Sequence, residues 1–150
     1  MKFFTMNWWR GLQSETDHDP VPDFQAHLET IRDRLPPDLV ALQESISLHD
    51  SRLRRLSLNF STREMTIELD GSDARGGSRK FLLTYQQLQS FESTADPNIG
   101  LGGPHGYGDL GYDEADISAC GHLEHRMLFS SGIEFRILFA GFKLTWQDQT

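Results

Sequence analysis

The stretch Gly106-Tyr107-Gly108-Asp109-Leu110-Gly111-Tyr112-Asp113-Glu114 concentrates carboxylates and a phenol beside glycines that let a backbone approach a ligand closely. Asp109, Tyr112, Asp113 and Glu114 are its candidate binding side chains, and oxygen ligands of this kind suit calcium or magnesium. Their spacing departs from an EF-hand loop, whose ligands alternate before a fixed glycine. Ordinary turn chemistry leading into a strand, with the carboxylates in solvent, is the simpler explanation of the same residues.

A second concentration is Cys120-Gly121-His122-Leu123-Glu124-His125, all of whose reactive types bind zinc. On a strand, residues 120, 122 and 124 face one way, and His125 faces the other with Met127 and Phe129. They therefore do not share a site, and His125 is expected as a hydrogen-bonded core histidine. A third is His49-Asp50, where a carboxylate could orient an imidazole as in a nucleophilic triad. The chain has no Gly-x-Ser-x-Gly elbow, Ser130-Ser131-Gly132 reads as a hairpin turn, and Asp50 suits turn capping. Gly71 to Gly77 lacks the Gly-Lys-Ser/Thr end of a phosphate loop. Neither a metal nor a cofactor is implied.

These side chains need elements to hold them. Phe24, Leu28, Ile31 and Leu35 recur at helical spacing, which predicts a helix over 22–35, opened by Pro22 and stopped by Pro36-Pro37. A second helix is expected over 37–44. Thr5 suits the cap of a short helix through Trp8 and Trp9, with an edge strand at Phe3-Phe4 as the alternative. Beyond His49 the apolar period changes to two. Leu56-Leu58-Phe60 and Met65-Ile67-Leu69 form a hairpin pattern, followed by Phe81-Leu83-Tyr85, a strand that could extend towards Phe91. Residues 93–108 read as a long irregular loop, and regular structure resumes near 112–118. Met127-Phe129 and Ile133 to Phe139 alternate, Ala140-Gly141 marks a bulge or turn, and Phe142-Leu144-Trp146 completes the series. The expectation is one α+β domain over 1–150. N-terminal helices pack on a mainly antiparallel sheet of about six sequential strands, because no βαβ alternation occurs.

The chain has 150 residues, 22 acidic and 14 basic, and a net charge of -8. Phosphate backbones and anionic membranes repel such a surface, so neither nucleic acid nor membrane is an expected partner, whereas a basic protein is. The basic run Arg52, Arg54, Arg55 reads as a solvated strand face. A single cysteine fits a reducing compartment. The aromatic N-terminus lacks a signal-peptide pattern, and no apolar run approaches a membrane span. Cytoplasmic location is the expectation.

The opening Lys2-Phe3-Phe4-Thr5 with Trp8-Trp9, then Leu35-Pro36 and Leu48-His49-Asp50, are landmarks of order. So are Gly108 to Glu114 and the hairpin His125 to Glu134. With these the chain resembles a family of small bacterial proteins of unknown function. The resemblance implies one domain in a bacterial cytoplasm and supplies no activity.

Two functional readings follow. The first is a non-catalytic acidic binding domain, an immunity-type inhibitor or regulatory adaptor. The second is a small metal- or ligand-binding protein or hydrolase that combines Asp109, Tyr112, Asp113 and Glu114 with His49 or His125. What separates them is whether the carboxylates of this stretch converge on a histidine in a concave pocket.

Overall fold

Proline and cap chemistry fix the helical part of the chain, of which a computed structural model describes residues 1–11, 18–94 and 106–149. Helix α1 (Met6–Arg10) starts where Thr5 Oγ1 accepts from Trp8 N at 3.2 Å. Helix α2 (Val21–Ile31) carries Pro22 in its first turn, where the missing N–H costs nothing. Its expected last turn tightens into a 3₁₀ segment, Arg32–Arg34, before Pro36 bars continuation. Helix α3 follows over Pro37–Ser45. All four residues of the expected stripe are buried, Phe24, Leu28 and Ile31 on α2 and Leu35 just past the 3₁₀ segment. None of the described helices is long and apolar enough to cross a membrane.

Among the described residues eight strands follow: β1 Ser51–Asn59, β2 Glu64–Ser72, β3 Ser78–Gln86, β4 Ser90–Thr94, β5 Asp109–Ile117, β6 Leu123–Phe129, β7 Glu134–Phe139 and β8 Gly141–Asp148. Every pairing is antiparallel, in the order β4-β7-β6-β5-β1-β2-β3-β8. The expectation of about six strands is corrected to eight, and kinking explains much of the difference. The β3·β8 ladder ends at Gln86↔Gly141 and resumes as β4·β7 at Ser90↔Leu138, so three residues oppose two. This is a β-bulge, with Gln87 at φ 51°. Across it Ala140 N donates to Gln86 O at 3.1 Å and Gln89 N to Leu138 O at 2.7 Å.

The kinks divide the sheet into two four-stranded leaves, β1-β2-β3-β8 and β5-β6-β7-β4. Chain continuity at the bulge joins them on one side. On the other they are joined by a short β1–β5 pairing, Ser51↔Leu110 and Arg52↔Asp109. Met65, Ile67, Leu69, Phe81, Leu83 and Tyr85 of the first leaf are buried, as are Met127, Phe129, Phe135, Ile137 and Phe139 of the second. Edge-on aromatic pairs knit this core, among them Tyr85–Phe139 at 5.0 Å and Phe129–Phe135 at 4.9 Å.

Strand β1 departs from its expected alternation. Leu58 pairs opposite the buried Met65 yet is 37% exposed, and Phe60 is 86% exposed. Past Arg52, β1 has no strand partner on its β5 side among the described residues, so its inward side chains lie at an open edge. Helix α3 packs against β8 and β5. Asp38 Oδ2 accepts from Leu144 N at 2.9 Å, and Gln43 Oε1 accepts from Ala115 N at 3.2 Å. Side chains of the helix thus satisfy strand-edge donors that would otherwise invite pairing.

A further correction concerns residues 109–114. They are the first six residues of β5, not the end of a loop. Of the expected long loop, residues 95–105 lie outside the described residues.

Candidate functional site

Strand periodicity divides the acidic stretch between two environments. Asp113 shares the inner face of β5 with Ala115, which pairs with His125 of β6, whereas Glu114 and Asp116 lie on the outer face opposite Arg126 and Glu124.

On the inner face a chain of hydrogen bonds runs from the core to the α3 cap. Tyr85 Oη lies 2.7 Å from His125 Nδ1, and His125 Nε2 lies 2.8 Å from Asp113 Oδ2. Gln43 Nε2 donates to the same Asp113 oxygen at 2.6 Å. The Gln43 amide is oriented by Ala115 N, whose donation requires the carbonyl oxygen on that side. Proton counting then fixes the ring. Nε2–H donates to the Asp113 carboxylate and Nδ1 accepts from the Tyr85 hydroxyl. An imidazolium would leave the Tyr85 hydroxyl proton without a partner in a fully buried position. Burial, reinforced by the Asp113 charge, pushes the Tyr85 hydroxyl well above the usual phenol range. His125 therefore meets the expectation of a satisfied core histidine, and its partner is the candidate Asp113.

Asp113 also lines a concave pocket of about 490 Å³ between α2, the end of α3, the chain leading to β1, and β5. Phe4, Phe24, Leu28, Leu42 and Leu48 supply apolar wall, and Gln43, His49, Tyr112 and Asp113 supply polar atoms. Tyr112 stacks on Phe4 at 5.0 Å and 7°, with Trp8, Trp9 and His49 edge-on at 5.1, 5.4 and 5.5 Å. Burial, with the Asp50 charge adding to it, raises the Tyr112 hydroxyl above its ordinary value, so it remains a phenol. His49 Nδ1 lies 3.0 Å from Asp50 Oδ1, and Asp50 adopts φ 63° at the turn into β1.

The outer face holds a dense ionic cluster. Glu114, 1% exposed, accepts from three consecutive backbone donors, Lys2 N at 2.9 Å and Phe3 N and Phe4 N at 2.7 Å each. Arg126 Nη1 reaches Glu114 and Asp116 at 3.4 Å each, and its Nη2 reaches Glu124 at 2.8 Å. Asp116 also meets Lys2 Nζ at 2.7 Å, His27 Nε2 at 2.8 Å and its neighbour's Ile117 N at 2.8 Å. Burial alone would raise the Asp116 carboxyl, but Lys2, His27 and Ile117 N hold it down to about 2. Its stabilisation is therefore complete above the unfolded value of about 4 and disappears as pH falls from about 4 towards 2. The expected contribution is about 2 kcal/mol. Urea titrations should show that Asp116→Asn flattens the stability profile across that interval, and an unchanged slope would refute the assignment.

Among the sequence-stretch candidates, then, Tyr112, Asp113 and His49 meet at one pocket, and His125 buttresses Asp113 from behind. Glu114 is consumed by the chain's own Lys2–Phe4 backbone. Asp109 accepts from Arg52 at 3.2 Å near the β1–β5 junction and does not line the pocket. Among the described residues, no three His, Cys, Asp or Glu side chains are grouped to hold a metal. Two contributors were not among the sequence candidates, and each carried a signal. Gln43 occupies an apolar-stripe position of α3, four residues after Leu39, and Tyr85 puts a hydroxyl on an inward strand face. A polar group in either place needs a partner.

No protein-family model matches the chain, and no curated protein matches it in sequence.

Proposed function

We propose that the protein is a non-catalytic receptor for a small amphipathic molecule, held between the helical cap and β5. The observation that carries this reading is the convergence of Asp113, Gln43, Tyr112 and His49 at the wall of a concave, largely apolar pocket, with His125 fixing Asp113 from behind. Its volume of about 490 Å³ falls in the range typical of small-molecule sites, as does a lining of aromatic and aliphatic side chains with a few polar groups. Binding fits the geometry better than turnover. In a hydrolytic triad the imidazole contacts the nucleophile and the carboxylate stands behind it. Here that order is reversed, because His125 is buried behind Asp113 and its other nitrogen is taken by a buried tyrosine. The alternative of an acidic surface for a basic protein rests on the net charge of -8, and within the acidic stretch Glu114 lies inside the fold and Asp113 faces a pocket.

The test uses the neutral dye Nile red and the variant Ile46→Trp, which fills the pocket from a partly exposed lining position. The wild type should bind the dye saturably at one per chain. The variant should bind at least about tenfold more weakly, a loss of about 1.4 kcal/mol, at an unchanged melting temperature. Unsaturable dye binding, or equal affinity in the variant, would overturn the proposal.

A further inference from the structure

Resting on that pocket, we infer that its ligand carries a protonated amine, received by the free oxygen of Asp113, with an apolar body lying along Phe24, Leu28 and Leu42. Asp113 is hydrogen-bonded to a histidine and an amide through Oδ2 alone, while Oδ1 has no hydrogen-bond partner among the described residues. Both donors are neutral, because the single ring proton of His125 is on Nε2 and Tyr85 donates to Nδ1. The carboxylate therefore keeps a full negative charge, and two neutral donors hold it in place without cancelling it.

Nothing else in the pocket cancels it. No lysine or arginine lines the cavity among the described residues. The other lining carboxylate, Glu44, is already engaged by Arg32 at 2.6 Å, and His49 is turned to Asp50. A charge against an apolar wall is costly to desolvate unless a counter-charge arrives with the occupant. An ammonium group meets that need. An anionic ligand would face the Asp113 carboxylate with no lining cation to receive it. A neutral one would leave the Asp113 charge unpaired as water is expelled.

The experiment compares matched ligands that differ only at the polar end: hexylamine, hexanol and hexanoate, each competing with Nile red at pH 7. Hexylamine should bind at least about tenfold more tightly than hexanol, in line with a hydrogen bond to a charged group, and hexanoate should be weakest. Asp113→Asn should collapse the amine preference to within about threefold, a ratio that is read independently of any change in Nile red affinity itself. Equal binding of amine and alcohol to a wild type that still takes up Nile red would overturn this inference and leave the pocket reading standing. Failure of Nile red itself would overturn the pocket reading. The amine-to-alcohol ratio is read on the wild type, so a folding defect in Asp113→Asn does not remove the test.

Discussion

Glu114→Ala should cost about 3–5 kcal/mol of stability, the range for breaking a buried charge pair by removing one partner. The carboxylate satisfies Lys2 N, Phe3 N and Phe4 N together and gives Arg126 one of its anionic neighbours. Without it three backbone donors lose their acceptor at once, and the segment that carries Phe4 is no longer held. Phe4 stacks on Tyr112 and meets Phe24 edge-on at 5.3 Å, so the aromatic wall of the pocket should loosen as well. Glu114→Gln should cost less than alanine, because one carbonyl oxygen survives, but its amide nitrogen turns a donor towards donors. Guanidinium denaturation, followed by tryptophan fluorescence, measures both. A loss under about 1 kcal/mol for the alanine variant would mean that the N-terminal segment contributes little to the native state.

His125→Leu should be comparably severe, at about 3–5 kcal/mol, for a different reason. It preserves approximate volume but leaves the Tyr85 hydroxyl without a partner in the core and removes one of the two donors that hold Asp113. Tyr85→Phe alone should cost about 1–3 kcal/mol, since it leaves His125 Nδ1 unpaired. The double variant discriminates. Once the histidine is gone, deleting the hydroxyl removes a liability, so the combined loss should fall short of the sum by about 1 kcal/mol or more. Additive losses would show that the Tyr85–His125 bond is not formed in solution.

The regular elements could be read from the chain because local and tertiary forces agree there. The stripe Phe24, Leu28, Ile31, Leu35 and the flanking prolines specify α2 through periodicity and steric exclusion. Thr5 likewise announces α1. Strand β5 was harder. Its glycines resemble loop residues, and Gly106 and Gly108 do adopt φ 70° and 79°. Gly111, however, lies inside the strand, where a Cβ would collide with the Trp9 indole. That reason for a glycine is tertiary and leaves no local trace. The bulge at Gln87–Gln89 was equally silent, since it contains neither glycine nor proline and owes its place to where the two leaves meet. Phe60 shows the converse: it continues the alternation of Leu56 and Leu58, but the strand ends at Asn59 and Phe60 stands exposed in the hairpin turn.

The site followed the same division. Period-two geometry separated His125 from Glu124, whereas Cys120 and His122 lie before β6 begins; the same geometry sets Asp113 and Glu114, grouped together in the sequence, on opposite faces of β5. It could not show that the inner residue would open onto a pocket while the outer one would be taken up by the backbone of Lys2–Phe4. Those outcomes depend on contacts made across 111 and 112 positions of sequence separation.

The central claim is that the pocket beside Asp113 receives a cationic amphiphile, and a backbone-amide NMR titration with hexylamine addresses it most directly. Saturable shifts should concentrate at Gly111–Asp113 and Gln43–His49, the segments that line the pocket. Shifts confined to other surfaces, or none up to millimolar amine, would contradict the account.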